Sequence, residues 1–267
     1  IIEKIITIYI LKIKGDKNMI ELDENVIRLI SAKASKIKTY TGRQLKEAIL
    51  KSEGRVLMGQ TYLKNPILFP NCTSTELMFA FGGDMVMLNG FDFRNPSTCP
   101  GLQGFDYQGI KNLVGGRPVG IYMGCPKEGL DITSDYLYDL SGMICTEENL
   151  KKCKEWGVSF IVLGGNPGSG TSIKDVVHWT KKAREICGDD MLIFAGKWED
   201  GIIEKVLGDP LADYDAKEII DQLIENGADI IDFPAPGSRH GITVERIREL
   251  IEYTHRKGAL AMSFLNS

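Results

Sequence analysis

Along most of the chain, short apolar runs alternate with amphipathic stretches. The runs lie at Arg55–Gly59, Asp84–Asn89, Pro118–Tyr122, Ser159–Leu163, Met191–Ala195, Asp229–Phe233 and Ala259–Phe264. Continuous hydrophobicity of this length belongs to strands buried on both faces. The pattern therefore predicts seven strands of a parallel sheet covered by helices. The stretches between them carry helix start signals. Thr41-x-x-Gln44 and Thr73-x-x-Glu76 fit the capping box. Thr243 opens a stretch in which Ile247, Leu250, Ile251 and Thr254 share one face and which Gly258 closes, as an amphipathic helix requires.

Four joints share one local grammar, AFGGDMVML, KEWGVSFIVL, IENGADIIDF and HRKGALAMSF. Each sets a glycine at the helix end and a strand a few residues later, so one βα unit is being repeated. The strand starts recur every 29 to 41 residues, the length of a right-handed βαβ unit. No GxGxxG follows the first strand, which disfavours a doubly wound nucleotide fold. The expectation is an α/β (β/α)8 TIM barrel. At this spacing an eighth unit has no room before Ser267, so the reading is a C-terminally truncated barrel with seven of eight strands and two open edges. The barrel domain is placed at 41–267, after an N-terminal extension and helix at 1–40. Residues 1–14, IIEKIITIYILKIK, are too short and too charged for a membrane span and lack the layout of a signal peptide. Two readings stand for this stretch. Either residues 1–18 are upstream sequence read in frame before a native start at Met19, or they form a packed leading helix.

The 267 residues, 43% of them hydrophobic, suffice for a buried core, and the net charge is −4. A mildly acidic chain with no basic block lacks the footprint of a nucleic-acid binder or of a polybasic membrane anchor. Expected partners are a small anionic substrate and a second copy of the chain, with neither nucleic acid nor membrane. Six scattered cysteines without a CxxC pair point to reduced thiols and a cytoplasmic setting. Three histidines without metal-ligand spacing make zinc a poor expectation. No metal or nucleotide motif is found, so the cofactor is unknown.

In a TIM barrel the chemistry sits on loops at the carboxyl ends of the strands. The loop Gly164–Ser172, GGNPGSGTS, offers Asn166, Gly168, Ser169, Gly170 and Thr171 as a phosphate- or carboxylate-binding turn, since glycines free backbone amides to face an anion at a helix start. A tight turn requiring glycine for its dihedrals alone is the other reading. Lys197, just past the fifth predicted strand, is either a Schiff-base nucleophile, a point charge for an oxyanion, or a solvated strand-end lysine. Asp92 is the candidate general base and Asn89 the substrate-orienting amide, against a turn around Asn95-Pro96. Gln60, after the first strand, is a further substrate contact. Asp232 interrupts an apolar strand and must be paired inside the barrel or sit at its rim. Cys125 is read as inert.

The stretches LKEAILKSEGRVLMG, TELMFAFGGDMVMLNGFD, GGRPVGIY, LGGNPGSGTS, IFAGK and NGADIIDFPAPGSRHGIT resemble a group of bacterial TIM-barrel proteins labelled "haloacid dehalogenase-like hydrolase". These are often encoded beside sugar phosphotransferase genes and are distantly similar to BtpA-like barrels. The resemblance spans about residues 41 to 267. It implies hydrolysis of a small, anionic or phosphorylated carbohydrate-derived substrate and an eighth strand beyond the seventh. Aldol-type lysis through Lys197 and a non-catalytic metabolite-binding role in sugar uptake are the alternatives.

Overall fold

Eight strands succeed one another around a closed barrel in the computed structural model, which describes residues 5–9, 22–129, 142–165, 169–199 and 205–264. They are β1 (Ile5–Tyr9), β2 (Val56–Tyr62), β3 (Met85–Asn89), β4 (Val119–Gly124), β5 (Phe160–Gly164), β6 (Leu192–Gly196), β7 (Ile230–Phe233) and β8 (Leu260–Phe264). The helices are α1 (Ala34–Ile37), α2 (Gly42–Lys51), α3 (Ser74–Ala80), α4 (Tyr107–Leu113), α5 (Glu147–Glu155), α6 (Ile173–Cys187), α7 (Ala216–Glu225) and α8 (Val244–Arg256). The seven predicted strands are β2 to β8, and every adjacent pair among them is parallel.

Closure comes from an unexpected place. β1 runs antiparallel to both of its neighbours, pairing Ile6 with Met58 of β2 and with Phe264 of β8. The expected open barrel with two bare edges is thus corrected, and so is the leading helix, because Ile5–Tyr9 is a strand. Met19 lies outside the described residues. Two reasons account for the strand. The segment IITIY is rich in β-branched residues, which favour extended backbone. The seven-strand sheet also offers two edges whose unpaired amides and carbonyls demand a partner.

Alternation along the strands sorts side chains into two apolar layers. Val56, Met58, Met85, Met87, Phe160, Val162, Leu192, Phe194, Ile230, Leu260 and Met262 cluster inside the barrel. Val86, Leu88, Ile121, Ile161, Leu163, Ile193, Ala195 and Ile231 pack outward against the helices. Leu45, Ala48 and Ile49 of α2 join the inner cluster, so this helix plugs the amino end. Gly42 lets it approach; a Cβ there would fall 2.7 Å from the Leu192 nitrogen. Both predicted capping boxes form, at Thr41 with Gln44 and at Thr73 with Glu76.

The repeated joint grammar also has a physical counterpart. The Asp84 carboxylate accepts from the Leu57 amide at 2.9 Å, and the Asp229 carboxylate accepts from the Ile193 amide at 3.0 Å. In both cases an aspartate just before a strand grips the backbone of the preceding strand, which fixes the stagger between the two.

Candidate active site

The carboxyl ends of β2 to β8 meet on one rim, and two of its loops are held rigidly. After β3, Phe91 and Phe93 turn inward and pack edge-on, their centroids 5.1 Å apart. They pin the residue between them, Asp92. Its carboxylate accepts from Arg94 Nη2 at 2.8 Å, Arg94 Nε at 3.1 Å and the Arg94 amide at 2.9 Å. Hydrogen bonding to that guanidinium holds the carboxyl below the usual carboxylate range. An ionised, ion-paired carboxylate is a weak proton acceptor, and the arrangement braces the loop against Gly142, where a Cβ would lie 2.6 Å from Asp92 Cγ.

The second rigid loop follows β5. Asn166 and Gly168 lie outside the described residues. Gly170 takes φ +76°, a conformation that glycine adopts without strain. The Thr171 hydroxyl donates to the Cys125 carbonyl at 2.7 Å and lies 2.9 Å from the Ser169 hydroxyl. Ser172 caps α6, and the Asp175 carboxylate accepts from both the Ser172 amide and hydroxyl at 2.7 Å. The helix start is therefore already occupied by a carboxylate of the chain itself, so the turn's own flanks must supply any positive charge. They do. Lys197 is 0% exposed, and its ammonium lies 2.9 Å from the point where a Cβ on Gly165 would stand, a point 3.3 Å from Thr171 Cβ. On the other flank, Lys127 Cδ lies 3.6 Å from the corresponding point on Gly170. The sequence reading did not single out Lys127. The Lys197 ammonium donates to the Glu199 carbonyl at 3.2 Å.

Lys197 and Asp232 leave the sheet on opposite faces. Lys197 continues the helix-side row of Ile193 and Ala195. Asp232 stands two residues after Ile230 in the interior row, level with Gly196 and Met262. The same interior row carries Gln60 of β2 and Asn89 of β3, both partly exposed, and Tyr122 of β4. Trp198 reaches across the mouth. Its ring stacks on Phe264 at 4.2 Å and 13°, meets Tyr122 edge-on at 5.8 Å, and comes within 2.7 Å of where a Cβ on Gly164 would lie. Trp198 and Phe264 are not among the sequence-predicted site residues, although their even spacing from Phe194 and Met262 places them on the interior face. The sequence reading ranked Asp232 second.

Among the described residues, no group of three histidine, cysteine or acidic side chains is arranged to hold a metal, and no helix is long and apolar enough to cross a membrane. All six cysteines are free thiols.

A family model described as a domain of unknown function, DUF7916, matches residues 30–267. The chain belongs to that family. No curated protein matches it. Among solved structures, this DUF7916 chain is similar to 2,3-dimethylmalate lyase, a PEP mutase/isocitrate lyase superfamily member, in a triclinic crystal form. That likeness has 13% identity and a TM-score of 0.45 over 80% of this chain and 68% of that one. The trigonal form gives 13%, 0.40, 67% and 58%. Phosphonopyruvate hydrolase in complex with oxalate and Mg++ gives 17%, 0.45, 80% and 68%.

These findings overturn the resemblance to "haloacid dehalogenase-like hydrolase" barrels, a description that none of them bears. The geometry agrees. The nearest approach to a dehalogenase DxDx(T/V) pattern, Asp213-Tyr214-Asp215, does not end a strand. Instead Asp215 caps α7, accepting from the Lys217 and Glu218 amides at 2.7 and 3.2 Å.

Proposed function

We propose that this DUF7916 barrel is an enzyme acting on a small anionic substrate held at the carboxyl rim. The observation that carries the reading is the pair of lysines bracketing the glycine turn, Lys197 buried against Gly165 and Thr171, and Lys127 alongside Gly170. A cation under a glycine turn in a water-poor setting attracts phosphate or carboxylate far more strongly than a solvated one. Ser169, Gly170 and Thr171 shape the turn, and Asn166 and Gly168 complete it in sequence. Asn89 and Gln60, on the open side of the mouth, orient the body of the substrate through their amides. Asp92, engaged by Arg94, braces the rim in this reading and does not move a proton.

Hydrolysis and carbon–carbon lysis ask different things of Lys197. In the first it stabilises an oxyanion as a point charge; in the second it attacks a carbonyl as an amine. Borohydride trapping with sugar phosphates separates the two, since only the amine yields an adduct at Lys197. The anion site itself is tested by thermal shift with inorganic phosphate and pyruvate. Lys197→Met and Lys127→Met are each expected to weaken both anions about tenfold. Unchanged affinities in both variants would contradict the reading.

A further inference from the structure

The first turn of α6 carries a carboxylate close to the glycine turn, where a like charge works against an anion. Asp175 does more there than close the helix. Its Oδ2 accepts from the Ser172 amide and hydroxyl, both at 2.7 Å, which completes a capping box. A cap asks for that one oxygen only. The other, Oδ1, accepts from the backbone amide of Glu128 at 3.1 Å, 47 residues earlier in the chain. One turn along α6, the Trp179 indole donates to the Pro126 carbonyl at 3.3 Å. The Cys125 carbonyl accepts from the Thr171 hydroxyl at 2.7 Å, and the Cys125 amide donates to the Gly164 carbonyl at 2.7 Å.

These bonds fasten the backbone at residues 125, 126 and 128, and Lys127 stands between them. Its side chain passes the turn, with Cδ 3.6 Å from the point where a Cβ on Gly170 would lie. It also lines a cavity of about 330 Å³ with Glu128, Lys174, Asp175, His178 and Trp179, through which a small anion can approach. A lysine on a free loop must be ordered by each ligand that it binds, and a fastened backbone lowers that entropic cost. We propose that Asp175 and Trp179 are positioning residues, which clasp the 125–128 backbone to α6 and so hold Lys127 beside the glycine turn for the ligand's anionic group. The proposal rests on the anion reading above and deepens it: the Gly170 flank of the site is set from α6, and the cost of a carboxylate near an anion is offset by a placed ammonium.

The sign of one substitution separates positioning from capping. Asp175→Asn keeps an oxygen for the Ser172 cap but removes both the second acceptor and the negative charge. If Asp175 only capped the helix, loss of that charge would tighten an anion about twofold. The clasp predicts the reverse. By isothermal titration of the full chain with inorganic phosphate, Asp175→Asn is expected to bind about fivefold more weakly, and Trp179→Phe about twofold more weakly. In a Lys127→Met background Asp175→Asn should weaken phosphate no further, whereas in a Lys197→Met background the fivefold loss should persist. Hydrogen exchange at the Glu128 amide should be faster in Asp175→Asn than in the wild type. Tighter or unchanged phosphate binding in Asp175→Asn, or an equal loss in the Lys127→Met background, would overturn the proposal. So would unchanged exchange at Glu128, whatever the affinities. Unchanged affinity in both Lys127→Met and Lys197→Met contradicts the anion reading instead, and the exchange rate then still decides whether the clasp exists.

Discussion

Asp229 and Asp232 lie three residues apart at the two ends of β7, and their surroundings could hardly differ more. Asp229, at the amino end, accepts from Arg184 Nη2 at 2.6 Å and from the Ile193 amide at 3.0 Å, and Lys46 Nζ lies 3.5 Å away. The Arg184 guanidinium in turn donates to the carbonyls of Gly227 and Met191. Every strong group there is satisfied. Asp232, at the carboxyl end, has no hydrogen-bond partner among the described residues. The contrast extends to the whole rims. The amino rim is plugged by α2 and stitched by aspartate-to-amide clamps, while the carboxyl rim holds a buried ammonium, two partly exposed amides and an orphan acid. One end of the barrel is built for stability, and in our proposal the other keeps chemistry at some cost to it.

Substitutions can break this contrast, and the largest effect is expected at the amino end. Asp229→Asn leaves the mostly buried Arg184 with only the exposed Asp189 carboxylate, 3.9 Å away, as counter-charge, and unfolding in urea should show a loss of about 3 kcal/mol. Asp232→Asn should do the opposite. A neutral amide tolerates the interior better than an acid that the unfolded chain would ionise, and a gain of about 1–2 kcal/mol is expected at neutral pH. The pH dependence sharpens the same point. The Asp232 carboxyl is raised by burial, so between about pH 4 and its folded value the native state holds one proton more than the unfolded state. Stability should therefore fall as pH rises through that window, by up to about 1.4 kcal/mol per unit. In Asp232→Asn this component of the slope should vanish. The smallest effect lies away from both sites: Thr73→Ala removes one half of a capping box, for a loss of about 1 kcal/mol seen as a lower thermal midpoint.

The seven parallel strands were legible because each is a continuous apolar run ended by a glycine joint, a local signal that fixes both type and place. β5 illustrates this: Ser159–Leu163 was read, and Phe160–Gly164 is found. β1 was not legible. IITIY has strand propensity, yet its role depends on two distant edges that exist only once the barrel has curled. The open barrel was inferred from spacing alone, and spacing assumes that all eight strands share one direction. The positions of Lys197 and the glycine turn just after strands were legible, and the structure brings Gly165, Thr171 and Lys197 together. The opposite faces taken by Lys197 and Asp232 follow from strand parity, a signal present in the sequence. The clamp of Arg94 on Asp92 is a local pairing, two residues apart, that the turn reading left out. The cover formed by Trp198 and Phe264 joins strands more than sixty residues apart and had no local mark.

Urea unfolding of Asp229→Asn and Asp232→Asn, measured side by side at pH 7 against the wild type, tests the division between the two rims most directly. The account predicts shifts of opposite sign, with Asp229→Asn less stable and Asp232→Asn more stable than the parent. Destabilisation by both would make Asp232 a structural residue and contradict the claim that the carboxyl rim keeps an unpaired acid at a cost in stability.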